Sequence, residues 1–229
     1  MTADTPASVP QRILDAAEAL FAKQGYYAAT IRDITDAAGV QLSLARYHFG
    51  SKDDLFKQVI GRRAKHTCDQ LDASLSQAMG GLSAKDDALA AIVDAMVSVP
   101  VRQLAGGDAG WRNYLELLAH LSQLRDRPEL LLPFREPYAK TLRRYRFALR
   151  KALPDAPAEV LDWGLHFLQI LVGHAILDLA ITRWMEGADD DRVDWDALRR
   201  HLVVHVVGGI RAQMAMPGLS RRSRGTRLL

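Results

Sequence analysis

The residues best equipped for chemistry lie between Thr30 and Lys52. Gln41, Leu42, Ser43, Leu44, Arg46 and Tyr47 follow a tight turn at Ala38-Gly39-Val40 and form the candidate exposed rim of a short helix over 42–48. A polar, basic and aromatic rim on so short a helix fits insertion into a major groove about 12 Å wide. Arg46 carries the paired donors that read guanine at O6 and N7; it can equally hold a phosphate or stay solvated. Leu44 can touch a thymine methyl or pack inward.

The remaining candidates are sparser. His201 and His205 stand four apart on one helical face, the spacing of two metal ligands, but no third ligand is close in sequence and no metal is expected. A simpler account is a helix interface, with Leu202, His205, Val206 and Gly209 in one stripe and Gly208-Gly209 admitting a partner helix. Trp111, Tyr114, Leu118, Leu121 and Leu124 recur at helical spacing, and Met96, Phe134, Tyr138 and Phe167 can face them. Such a stripe is either core or an apolar pocket. His166 and His174 read as polar inclusions or pocket-lining groups. No nucleophile elbow, phosphate loop, HExxH or carboxylate pair is present, so no catalytic residue and no cofactor is expected. Cys68 reads as a small buried apolar side chain, with no second cysteine to resolve an oxidised form.

Helices position all of these groups. Strand signals are nearly absent while helical periodicity recurs throughout, which predicts an all-α chain. The first helix is expected over 10–24, with Pro10 early, Ile13, Leu14, Ala17, Leu20 and Phe21 on one face, and Gly25 at its end. Thr30 opens the second as a cap, with Asp33 as the acidic half of a box-like arrangement; Ile34 and Ala37 are expected inward, and Gly39 breaks the helix. Val40 and Ala45 plug the space between second and third helices. Ser51 caps a long fourth helix whose stripe runs through Leu55, Phe56, Val59 and Ile60. Further helices are expected over 84–104, 109–125, 134–152, 157–186 and 192–215.

Composition bounds the function classes. Of 229 residues, 48% are apolar and 25% charged, which excludes a disordered chain, and a single cysteine excludes a disulfide framework or a multi-cysteine zinc site. No run of about 18 apolar residues occurs; the nearest, 160–181, is interrupted by Asp162, His166, Gln169, His174 and Asp178, so no membrane partner is expected. The start, MTADTPASVPQR, lacks the pattern of a secretory signal, and a cytoplasmic location is expected. Residues 1–66 hold nine basic and seven acidic side chains, residues 67–217 hold 17 and 20, and the tail from 218 holds four arginines and no acid. A mildly basic head on an acidic body is compatible with DNA binding by the head.

The stretch TIRDITDAAGVQLSLARYHFGSKDDLF resembles the signature of TetR-type transcriptional regulators, most recognisably at Tyr47, His48, Phe49, Gly50, Lys52, Leu55 and Phe56. The resemblance covers about residues 10–60; beyond it the chain agrees with the family in length and helical pattern. It implies a three-helix DNA-binding domain with a helix-turn-helix (10–56) and a helical ligand-binding and dimerisation domain (57–217), after a flexible N-terminus (1–9) and before a basic tail (218–229) whose lack of apolar periodicity reads as disorder. It also implies that Thr30 and Arg32 lie near backbone phosphates, that Tyr47 and His48 approach DNA, that Lys52 meets a phosphate at the start of the fourth helix, and that Phe49 is packed inside. Leu44 and Arg46 depart from the commonest pattern, so an operator cannot be transferred from a relative.

The segment from Trp111 to Asp178 is similar to regulators that respond to fatty acids or acyl-CoA. The expected pocket is lined by Met96, Trp111, Arg112, Tyr114, Leu118, Leu121, Phe134, Tyr138, Phe167 and His174, with Arg112 and Arg135 placed to meet an acidic head group. The expected homodimer interface comprises Leu165, Leu168, Val172, Leu202, His205, Val206 and Gly209. The expected partners are a near-palindromic duplex operator, a small apolar effector and a second copy of the chain. The competing class is an all-helical carrier or enzyme whose N-terminal helices are structural only.

Overall fold

The structure, a computed structural model, describes residues 7–82, 87–177 and 193–216. The acidic run Asp189-Asp190-Asp191, the first six residues and the tail from 218 lie outside the described residues. Every described element is helical: α1 (Val9–Ala28), α2 (Ile31–Ala38), α3 (Leu42–Phe49), α4 (Lys52–Gly80), α5 (Ala88–Ala105), α6 (Ala109–His120), two single 3₁₀ turns (Leu121–Leu124 and Pro128–Leu131), α7 (Leu132–Ala152), α8 (Ala158–Leu177) and α9 (Trp195–Ala215).

The chain divides into two compact units. The first comprises Met1–His66 with Gly107–Tyr138, so the helix-turn-helix shares its unit with α6 and the 3₁₀ turns. Ile13, Ala17 and Phe21 of α1, Ile34 and Ala38 of α2, Ala45 and Phe49 of α3 and Leu55, Phe56, Val59 and Ile60 of α4 are buried together with Leu117, Leu124, Leu130 and Leu131. Phe21 and Tyr26 both meet Phe56 edge-on, at centroid separations of 5.1 and 4.9 Å, the arrangement that aromatic quadrupoles favour. Gly25, with φ +77°, breaks the helical path inside α1, where the sequence places the end of the first helix. One expectation is corrected here: Ala37 is exposed and its neighbour Ala38 is buried. The two positions differ by about 100° of helix rotation, and Ala38 is the one that joins the core of the head.

The second unit comprises Thr67–Gly106 with Ala139–Leu229. Here α5 packs on α8 and α9, with Ile92, Val93, Met96 and Val97 buried. Helix α5, rather than the interrupted stretch 160–181, is the one described helix long and apolar enough to cross a membrane by length and composition; 61% of it is buried inside the protein, as in a core helix. Helix α7 is fastened to α4 by the Tyr145 hydroxyl, which donates to the Leu71 carbonyl at 2.9 Å. Helices α8 and α9 meet at Gly164, where an added Cβ would lie 2.7 Å from Ile210. Cys68 is buried, and burial raises its thiol pKa.

Candidate nucleic-acid interface

Local hydrogen bonding builds the helix-turn-helix. The Thr30 hydroxyl accepts from the Asp33 N–H at 3.1 Å, and the Asp33 carboxylate accepts from the Thr30 N–H at 3.1 Å and its hydroxyl at 2.6 Å. This reciprocal box satisfies helix-end donors that would otherwise be unpaired, and the Thr30 bonds hold the Asp33 carboxyl below its usual range. At the other end Gly39 takes φ +63°, a left-handed conformation that costs little without a Cβ and reverses the chain into α3. Val40 is half-buried and Ala45 buried between the helices, as the sequence implies.

The rim that results is open. Gln41, Leu42, Ser43, Arg46, Tyr47 and His48 are all exposed, Tyr47 to 82%. Phe49 is buried beneath them. The Gln41 side chain makes no capping bond, so the first N–H groups of α3 are left for another acceptor. Leu44 is half-buried, which favours its packing role over a thymine contact.

Three residues expected at phosphates are placed differently from one another. Arg32 is exposed. The Thr30 hydroxyl is committed to its box. Lys52 is half-buried: its ammonium donates to the Tyr27 carbonyl at 3.3 Å and lies 4.6 Å from the centre of the Tyr26 ring. Burial lowers its pKa. The start of α4 is itself closed by a Ser51–Asp54 box, with the Asp54 N–H donating to Ser51 Oγ at 3.1 Å. Lys52 therefore joins the end of α1 to α4, and the start of α4, where a phosphate was expected, already has the Asp54 carboxylate beside it.

Two polar clusters that sequence reading missed brace this head. Asp53 accepts from the Tyr26 hydroxyl and from Arg127. The Tyr26 bond, seconded by Arg127, lowers its pKa, while burial, followed by Asp53, pushes Tyr26 up to about 12. Deeper in, Glu18 of α1 is 1% exposed and accepts from Arg62 at 2.9 Å and Arg63 at 2.7 Å. The Arg63 guanidinium also stands 4.7 Å over the ring of Trp111 in α6. The partners are 44 and 45 residues apart in sequence, and no local spacing announces them.

The expected pocket residues fall in both units. In the first, Tyr114 is buried, Trp111 stacks on His66 at 5.5 Å, Phe134 stacks on Tyr138 at 5.1 Å, and Leu118 is half-buried. Leu121 and Phe134 pack against the head's core, while Arg112 and Arg135 are exposed. In the second, Met96 is buried in α5, but Phe167 (44% exposed) and His174 face solvent, which removes them from an enclosed lining.

The interface expectation needs a larger correction. Leu165, Leu168, Val172, Leu202 and Val206 are buried within the single chain, because the apolar stripes of α8 and α9 cover each other and α5. His205 and Gly209 are exposed, as are Ile170 of α8 and Val204 of α9, the last to 71%. Nothing lies within 4 Å of a Cβ added at Gly208 or Gly209. His201 is exposed, and among the described residues no group of three or more His, Cys, Asp or Glu side chains could hold a metal ion.

Comparison with known proteins agrees with this arrangement. Residues 13–59 match the family model for bacterial regulatory proteins of the tetR family, and residues 94–209 match that for the tetracyclin repressor-like C-terminal domain. The HTH-type transcriptional repressor AcnR of Corynebacterium efficiens is 40% identical over 55 residues, 24% of this chain and 29% of that protein. The chain thus matches under a third of the length of that curated relative. Among solved structures, the fatty acid degradation regulator FadR from Bacillus halodurans superposes with a TM-score of 0.63 at 18% identity, covering 91% of this chain and 99% of that one. FadR from Bacillus subtilis, in complex with stearoyl-CoA, gives 0.55 at 18% identity, covering 86% and 97%. At these identities the structural likeness is one of fold.

Proposed function

Because the chain belongs to the TetR family of bacterial transcriptional regulators, we propose that it is a repressor released from its operator by a small apolar effector. The observation that carries this reading is the rim of α3. Arg46, Tyr47 and His48 are exposed together on a short helix whose underside is locked into the core of the head. The family is one of regulators, not enzymes, and the protein acts in the cytoplasm on duplex DNA.

The repressor is a homodimer. Phe167 and Ile170 of α8 with Val204, His205 and Gly209 of α9 supply its contact face, since these side chains are exposed on helices whose other faces are already covered. Two-fold symmetry then pairs the two α3 helices with a near-palindromic site, its half-sites about one helical turn or a multiple apart. The effector is a fatty acid or acyl-CoA, a reading supported by the aromatic residues around Trp111 and Tyr114 and by the fold shared with a regulator solved with stearoyl-CoA. Arg63 touches both Glu18 in α1 and Trp111 in α6, so a ligand that moves α6 acts on the head through that contact. Such a ligand must bind the non-binding state more tightly, because equal affinity shifts nothing.

A gel shift against the DNA upstream of the protein's own gene, followed by titration with acyl chains and acyl-CoA of increasing length, tests both parts. Specific retardation relieved by one length class supports the reading. Retardation that no length relieves removes the effector, and no retardation removes the repressor.

A further inference from the structure

Helix α7 carries a charge that its surroundings answer only in part, through Arg144 with Asp72 and Arg146 with Asp162. From Arg135 to Lys151 it holds seven Lys or Arg side chains and one acid, Glu136, inside the stretch 67–217 whose basic and acidic residues number 17 and 20. Lys140, Arg143, Arg144, Phe147, Ala148 and Lys151 recur at helical spacing along one face of this helix. In the second unit that face and the last turns of α4 line an open groove of about 490 Å³.

The groove is apolar in its middle and basic at both ends: Lys140 and Arg143 stand about one turn apart, and Lys151 lies about two turns beyond Arg143, past Phe147 and Ala148. Leu75 and Ala148 are buried at its apolar part, Met79 is half-buried, and Phe147 is held 71% exposed. Of the four cations, Arg144 is answered: it pairs with Asp72 at 2.5 Å and donates to Ser76 Oγ at 3.3 Å. Lys140, Arg143 and Lys151 are exposed and have no ion pair with any described residue. Lys140 and Arg143, about one turn apart and without an ion pair, repel each other until an anion enters. A bare phosphate would use the cations and leave Phe147 in water; a hydrocarbon would do the reverse. A duplex would use the charge but not the concavity, whose volume is on the scale of a small molecule, roughly 300–1,000 Å³.

We propose that this groove binds a small amphipathic anion. A phosphate or diphosphate head sits between Lys140 and Arg143, with Arg143 offering paired donors, and an apolar body lies on Leu75, Met79, Phe147 and Ala148, toward Lys151. Polyprenyl diphosphates have this chemistry. None of these residues belongs to the α3 rim or to the candidate effector lining, so this is a site additional to the function proposed above. Binding is measured without DNA, so its outcome is independent of repression.

The test is isothermal titration of the full-length protein with geranyl diphosphate, with inorganic diphosphate and geraniol as head-only and body-only controls. Geranyl diphosphate is expected to bind more tightly than either control. K140A/R143A is expected to weaken it by about tenfold, the scale of two partly exposed charge-assisted contacts. Lys140→Gln serves as a second charge variant, with circular dichroism confirming the fold of each. Phe147→Ala should weaken geranyl diphosphate while leaving inorganic diphosphate unchanged. Absence of binding to the wild type, or equal affinity for wild type and charge variants, overturns the proposal. So does binding confined to phosphatidylglycerol vesicles or to duplex DNA and abolished in K140A/R143A, which would make the face a membrane or nucleic-acid surface.

Discussion

In a Glu18→Ala protein, two guanidiniums lose the carboxylate they share. Glu18 is 1% exposed and accepts three bonds, from Arg62 Nη2 at 2.9 Å, Arg62 Nε at 3.3 Å and Arg63 Nε at 2.7 Å. After truncation Arg62 keeps Asp15 at 2.8 Å, whereas Arg63 keeps its stack on Trp111 and no acid among the described residues. Removing one partner of a fully buried pair costs about 3–5 kcal/mol. The arginine side chains are 18–19% exposed, so water screens them in part, and Arg62 retains one acid. A cost of about 2–3 kcal/mol remains. For a chain of this size that lowers Tm by roughly 5–10 °C. Differential scanning calorimetry reads the loss, and a double-mutant cycle with Arg63→Ala reads its origin. The two substitutions together should cost less than their sum by about 1 kcal/mol. A Tm loss below about 2 °C, or additivity within about 0.5 kcal/mol, would refute the shared-carboxylate argument.

The other expectations are smaller or more local. Thr30→Ala removes the cap of α2 and should cost about 1 kcal/mol, with faster amide exchange in 31–34, while Thr30→Ser should restore protection; unchanged exchange would contradict the box. Asp33, Asp53 and Asp54 titrate below their ordinary range because Thr30, Tyr26 and Ser51 respectively donate to them. Their folded pKa values lie below the unfolded ones, so their contribution is present above the ordinary aspartate range and is lost as pH falls through it toward the folded values. The urea midpoint should therefore drop in that window, less steeply in Asp33→Asn/Asp54→Asn; equal slopes would remove the boxes as the cause. Val204→Arg should shift the dimer to monomer in sedimentation velocity while leaving the helical content intact. A dimer that survives it would move the interface elsewhere.

Much of the head was legible because its signals are local. Thr30 with Asp33, Gly39 and Ser51 each act within four residues, so the sequence places α2, the turn and the start of α4 correctly. The ends of helices were less legible: 109–125 resolves into α6 and a 3₁₀ turn, and α1 continues past Gly25. Periodicity also identifies an apolar face without identifying what covers it. Leu165, Leu168, Leu202 and Val206 were assigned to a partner, but α5, α8 and α9 cover them. Lys52 was expected at a phosphate from its place in a motif, and only the packed end of α1 shows Tyr26 beneath it. Glu18 and Arg63 could not be paired from sequence, being on different helices. The basic density of α7 was readable, but the groove beside it depends on α4.

The central claim is that α3 reads DNA sequence, and Arg46→Ala tests it most directly. Fluorescence anisotropy would compare wild type and variant on the upstream operator and on a random duplex, at fixed salt. The wild type should prefer the operator by about 10³-fold or more. Arg46→Ala should lose about 1–3 kcal/mol on the operator and little on random DNA. Equal losses on both duplexes would make Arg46 a phosphate contact, and a wild type without preference would contradict the account of α3 as a reading helix.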